Sequence, residues 1–173
     1  MIKTILEKVF GREIKVRMRE GFFPFTEPGY EIDMECLKSE LTSEVILVSM
    51  MMVNNETGAH FDVARVFAAA KAKDSRTVTH CDAVQGFLKV PFTPASIHAD
   101  LVTVSAHKIG GPKGIGALFV AAPIFKARRL IAMTPGGGPE GGFRCGTENM
   151  PGIQPTRDEV KITRSHNRRK RDQ

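Results

Sequence analysis

The chain has 173 residues, 42% of them hydrophobic, and 25 Lys and Arg against 19 Asp and Glu give a net charge of +6. That is enough apolar material for the core of one domain and too little for two. No apolar run reaches the roughly 18 residues of a membrane span, and Met1 to Lys8 is too charged for a secretory signal.

Residues 2–10 read as the end of a helix, Glu13 to Met18 alternates like a strand, and 22–29 reads as a loop. A helix is predicted from Asp33 to Leu41. The apolar run Val45–Val53 then ends in Asn54-Asn55-Glu56-Thr57-Gly58. Phe61, Val63, Ala64, Val66, Phe67 and Ala70 recur at helical spacing, with Arg65, Lys71 and Lys73 on the polar side. Val78 to Cys81 is a shorter run that ends in Asp82-Ala83-Val84-Gln85-Gly86. Leu101 to Val104 leads into Ser105-Ala106-His107-Lys108 and the glycine-rich stretch 109–116, and 116–120 is a further strand. Asn55, Asp82 and Lys108 are nearly evenly separated, as in successive strand–crossover–strand units of on the order of 30 residues. Parallel sheets bind ligands outside the carboxyl ends of their strands, and each polar cluster falls at such an end.

The clusters carry complementary chemistry. A lysine in a glycine-rich turn can attack a carbonyl and form a Schiff base, which is how a pyridoxal phosphate enzyme keeps its cofactor. Asp82 can keep a pyridine nitrogen protonated, and Gln85 can donate to a ring hydroxyl oxygen. Ser105 and His107 can hold phosphate oxygens, and Asn55 can reach the ring or a substrate carboxylate. Taken singly, Asp82 also reads as a strand-end turn or cap, Asn54-Asn55 as a turn, and His107 and Lys108 as surface residues. Three clusters at neighbouring strand ends favour a site. Other motifs are weaker. Gly136–Gly141 fits G-x-G-x-x-G, but no helical pattern follows it and Pro139 interrupts it; no Gly-Lys-Ser/Thr follows Lys108. The five histidines and three cysteines form no Cys-x-x-Cys or His-x-x-x-His spacing, so no metal is expected.

Val53–Gly58, His80–Gln85, Ser105–Leu118 and Gly136–Asn149, in that order and spacing, resemble the cysteine desulfurase family. These are class V aminotransferase-type enzymes, also similar to selenocysteine lyases. The resemblance covers about Glu31 to about Ile153. It implies an α/β fold, part of the large domain of the fold type I pyridoxal 5′-phosphate-dependent transferases, with a mostly parallel sheet flanked by helices. It implies Lys108 as the catalytic Schiff-base lysine, Asp82 on the pyridine nitrogen and Gln85 on the ring hydroxyl. Asn55 lies against ring and substrate carboxylate, Ser105 and His107 bind phosphate, and Thr147 reaches the phosphate of a partner subunit's cofactor. The implied reaction takes sulfur from L-cysteine as an enzyme persulfide, leaves L-alanine, and feeds iron–sulfur cluster assembly or tRNA thiolation. The family also implies a homodimer and a sulfur-acceptor protein; from the sequence itself no membrane partner is expected, and nucleic acid is expected at most at the basic tail.

The family's phosphate-cradling turn and ring-stacking histidine would precede the matching region, and its nucleophilic cysteine loop and substrate arginine would follow it. None is recognisable here, so a truncated chain, inactive alone, is expected; the alternatives are a non-catalytic remnant that keeps a partial cofactor site or a dimer surface, or a selenocysteine lyase-like fragment. Of Cys36, Cys81 and Cys145, only Cys145, beside Arg144, has an electropositive neighbour. Three cysteines without close pairing fit a reducing cytoplasm. The expected organisation is a partial cofactor-binding domain over 1–154 and a basic, disordered tail over 155–173. That tail carries most of the net positive charge, through Arg157, Lys161, Arg164 and Arg168–Arg171.

Overall fold

The computed structural model describes residues 34–171, with side chains through Arg164. The elements expected at 2–10, 13–18 and 22–29 lie outside those residues. The described chain forms two compact units, one of 34–120 with 150–171 and one of 121–149.

The first unit is built on a four-stranded sheet. Helix α1 (Met34–Glu40) precedes β1 (Leu47–Met51), and α2 (Val63–Lys73) crosses to β2 (Val78–Asp82). Strands β3 (Leu101–Ser105) and β4 (Gly116–Val120) complete the order β1-β2-β3-β4. The first two pairings are parallel and β3–β4 is antiparallel, which is the mostly parallel α/β architecture expected. Strand β1 is shorter than the apolar run 45–53. Met52 donates its N–H to the Asp82 carbonyl, and Val53 pairs with His60 in an isolated bridge that turns the chain around Asn54–Gly58. The connection over 83–100 contains no α-helix. It is a chain of single turns, including Phe87 N–H to Ala83 O at 2.8 Å and Val90 N–H to Gly86 O at 2.8 Å. Pro91 and Pro94, which lack an N–H, keep these turns from joining.

Helix α2 covers one face of the sheet. The Asp62 side chain caps it by accepting from the Arg65 N–H at 3.1 Å. Val63, Val66, Phe67 and Ala70 follow the i, i+3, i+4, i+7 rule, are buried, and the first three pack with Cys81 and Val102. Full burial of Phe67 alone contributes about 1.5–3 kcal/mol. Lys71 Nζ donates to Asp100 and to the Thr77 carbonyl, and the Thr79 N–H also donates to Asp100. This ties α2 to the starts of β2 and β3. Side chains alternate across strands, so Ser49, His80, Asp82, Thr103 and Ser105 share the opposite face.

The segment expected to be a disordered tail from Pro155 is instead part of a long helix. Helix α3 (Ala122–Lys126) belongs to the other unit, and α4 runs from Met150 to Arg171, so the expected boundary at 154/155 falls inside a helix. Composition misled because the half-buried stripe of α4 is only weakly apolar: Ile153, Thr156, Glu159, Val160 and Thr163. Pro155 removes one helical N–H, and the Thr156 hydroxyl donates to the Gly152 carbonyl at 3.0 Å. In the 121–149 unit, the Phe125 and Phe143 rings lie 5.3 Å apart and Thr134 bridges to Arg144. A 3₁₀ turn, Pro139–Gly142, rather than an α-helix, follows Gly136–Gly138.

Candidate functional site

Parallel pairing brings the carboxyl ends of β1, β2 and β3 to one edge of the sheet. The loop after β1 divides labour between its two asparagines. Asn54 Oδ1 accepts from the N–H groups of Glu56 and Thr57 at 2.8 and 2.9 Å, so its side chain builds the turn. Asn55 is exposed, and no described residue engages its amide. Asp82 closes β2. Its Oδ1 accepts from the Val84 N–H at 2.9 Å, which orients the carboxylate and leaves Oδ2 without a partner among the described residues. Gln85 follows in the same turn, half-buried, with its amide likewise unengaged. That turn lies close against β1, since a Cβ on Gly86 would come within 2.6 Å of Met52 Sδ.

Lys108 ends the 3₁₀ turn Ala106–Lys108 that starts directly after β3. Its loop, 106–115, is closed by the Ser105–Gly116 pair and by Ala106 N–H to Ile115 O at 3.0 Å. Gly110 and Gly114 adopt φ of +88° and +85°, which disfavours side chains there. The loop is also backed by α4. A Cβ on Gly111 would meet Thr156 Oγ1 at 3.0 Å, and one on Gly110 would meet Glu159 Oε2 at 3.2 Å. Lys108 itself is exposed, and no described residue takes its amine in a hydrogen bond or ion pair. Ser105 Oγ lies 2.7 Å from His107 Nδ1, so the two expected phosphate ligands contact each other.

Six of the seven expected site residues (Asn55, Asp82, Gln85, Ser105, His107 and Lys108) thus lie at or just beyond the ends of three adjacent strands. Thr147 is exposed in the 121–149 unit. The residues fit a pyridoxal phosphate in kind: an exposed, unpaired amine on a glycine-rich loop, a half-committed carboxylate on the neighbouring strand, and a hydroxyl and an imidazole at the end of β3. The thiols are placed differently. Cys81 is fully buried on the α2 face, and burial, reinforced by the Asp82 carboxylate, pushes its thiol up to about 12. Cys36 is exposed on α1.

Three residues that sequence reasoning passed over join the site from below. His80, half-buried two positions before Asp82, holds Ser49 Oγ at 2.7 Å through Nδ1 and Thr103 Oγ1 at 3.2 Å through Nε2. Burial lowers the His80 pKa, against a smaller upward pull from Asp82. The available signal was a polar residue at the middle of each strand: Ser49 in β1, His80 in β2 and Thr103 in β3.

The family model for class-V aminotransferases matches residues 21–157. A cysteine desulfurase IscS of Anaeromyxobacter dehalogenans is 43% identical over 155 residues, covering 87% of this chain and 36% of the relative. The IscS of Pasteurella multocida is 43% identical over 133 residues, covering 75% and 32%. Among solved structures, a NifS-like protein superimposes with a TM-score of 0.71 at 34% identity, covering 78% of this chain and 36% of that one. A structure described as SspA in complex with cysteine gives 0.67 at 32% identity, covering 75% and 36%. The chain spans about a third of the length of the curated relatives it matches. It belongs to the class-V aminotransferase family of pyridoxal 5′-phosphate-dependent enzymes, and its relatives there are cysteine desulfurases.

Proposed function

We propose that this chain is a cofactor-holding segment of a cysteine desulfurase, acting on L-cysteine with sulfur transfer to a thiol and release of L-alanine. The observation that carries this reading is the unpaired Lys108 amine on the loop after β3, next to the strand that ends in Asp82. Lys108 would hold the cofactor through its amine, and Asp82 Oδ2 would hold a proton on the ring nitrogen. Gln85 would donate its amide N–H to the ring hydroxyl oxygen. Ser105 and His107 would take phosphate oxygens. If His107 Nδ1–H donates to Ser105 Oγ, the Ser105 hydroxyl proton is left for the phosphate. Asn55 would donate to the substrate carboxylate. When bound, pyridoxal phosphate supplies an electron sink for charge developing on the substrate's Cα. Lys108 Nζ would take a proton from that carbon.

Sulfur transfer needs an accessible thiolate. Cys81 is buried with its pKa pushed up to about 12, and so is unsuited to that role. Cys36 lies on α1 and Cys145 in the 121–149 unit, so no other thiol stands among the residues gathered at the strand ends, which favours a segment that binds cofactor and substrate but does not by itself accept sulfur. A homodimer with Thr147 reaching the partner's cofactor, and a separate sulfur-acceptor protein, belong to the same reading. The chain supplied with pyridoxal phosphate should gain a near-visible absorption band that L-cysteine perturbs, with little L-alanine released. Absence of the band, or a band unchanged in Asp82→Ala, would refute the reading.

A further inference from the structure

The polar line Ser49–His80–Thr103 runs across three strands on the face opposite α2, directly behind the strand ends that carry Asn55, Asp82 and Lys108. Ser49 is the register partner of His80, and Thr103 is the register partner of Asp82. The imidazole therefore bridges diagonally, from the neighbour of its own position to the neighbour of the carboxylate's position. Both ring nitrogens are taken, which fixes the ring plane relative to β1 and β3. We infer that His80 is a positioning residue for Asp82: by tying β1 and β3 to β2 one step behind the carboxylate, it holds Asp82 in line with Asn55 and Lys108. This rests on the proposed cofactor site.

The chemistry of the tie suits that task. A neutral imidazole donates from one nitrogen and accepts at the other, and each hydroxyl can play either part, so the line is satisfied without charge. Ser49 and Thr103 do not titrate, and Cys81 and Thr79 point to the other face. Among the described residues, the charge that acts on His80 is Asp82, on its own strand. Burial outweighs that pull and favours the neutral ring. The consequence is specific. A protonated His80 would present Asp82 with a cation other than the ring nitrogen of the cofactor, and would weaken the carboxylate's hold on it. Neutral, it positions without competing.

Nuclear magnetic resonance on the cofactor-free chain tests the tie without any activity. His80 should keep one neutral tautomer to below its ordinary titration range, and the Asp82 carboxyl carbon should show a step at the His80 midpoint. In H80F the Asp82 signal should move and pyridoxal phosphate affinity should fall about tenfold, as for a lost pair of hydrogen bonds, with H80Q recovering most of that loss. Because H80F can fail to fold, S49A combined with T103V removes the same two bonds and keeps the ring; it should move the Asp82 signal in the same direction. The wild-type to H80Q affinity ratio should drop as pH falls through the His80 midpoint, whereas a purely structural role leaves it flat. Titration of His80 at its ordinary value with freely exchanging tautomers, an Asp82 signal indifferent to all these changes, or a flat ratio would overturn the inference. A chain that binds no pyridoxal phosphate would overturn the proposed function instead, and the His80 and Asp82 signals would still decide the tie.

Discussion

Ser105 and Gly116 stand opposite each other in the antiparallel register of β3 and β4, and that pair closes the loop carrying Lys108. A Cβ at Gly116 would lie 2.8 Å from the Val104 carbonyl oxygen, a backbone atom that cannot swing aside. Gly116→Ala is therefore expected to cost about 1–3 kcal/mol and to loosen the loop. Thermal unfolding should show the loss, and pyridoxal phosphate affinity should fall with it. An unchanged midpoint would mean that β4 does not set the loop.

Asp100 gathers Lys71 Nζ and the Thr79 N–H at the amino ends of the strands, with a side chain only 16% exposed. Asp100→Ala strands the Thr79 N–H and leaves Lys71 Nζ with the Thr77 carbonyl alone, and breaking such a pair should cost on the order of 3 kcal/mol. Urea titration measures this. The site lies at the opposite ends of the strands, so any cofactor affinity should survive wherever the variant stays folded.

The folded His80 pKa lies below its ordinary 6.5, so between the two values the unfolded chain binds more protons. The stability associated with a neutral His80 is thus fully present above about 6.5 and is lost as pH falls from there through the folded value. Urea midpoints should decline over that window in the wild type, and the decline should shrink in His80→Gln. Equal declines in both would assign the effect to other groups.

Thiol labelling separates the cysteines. Cys36 should react with an alkylating reagent at mildly alkaline pH in the folded chain. Cys81, buried and with its pKa pushed up to about 12, should react only after denaturation. Labelling of Cys81 at a comparable rate in the native chain would show that the α2 face opens.

That Asn55, Asp82 and Lys108 fall at or beyond the carboxyl ends of three adjacent strands was legible, because each follows an apolar run that contains a strand. Helix α2 was legible from its spacing. The strand bounds were less so: Met52 and Val53 are as apolar as β1, but they turn away to bond Asp82 and His60. Helix α4 was hidden because its stripe is built from Thr156, Glu159 and Thr163 as much as from Ile153 and Val160, and because Pro155 reads as a breaker. The division between Asn54 and Asn55 depends on which side chain closes the turn, and either could by composition. The Ser49–His80–Thr103 line needs the register of three strands, which no single run of sequence contains.

The central claim is that Lys108 is the residue that takes the cofactor aldehyde. Borohydride treatment of the chain with pyridoxal phosphate, followed by peptide mass mapping, tests it most directly. A pyridoxyl mass is expected on the peptide containing Lys108, and its loss in Lys108→Ala. Label spread over surface lysines such as Lys38, Lys113 and Lys161, with no preference for Lys108, would contradict it.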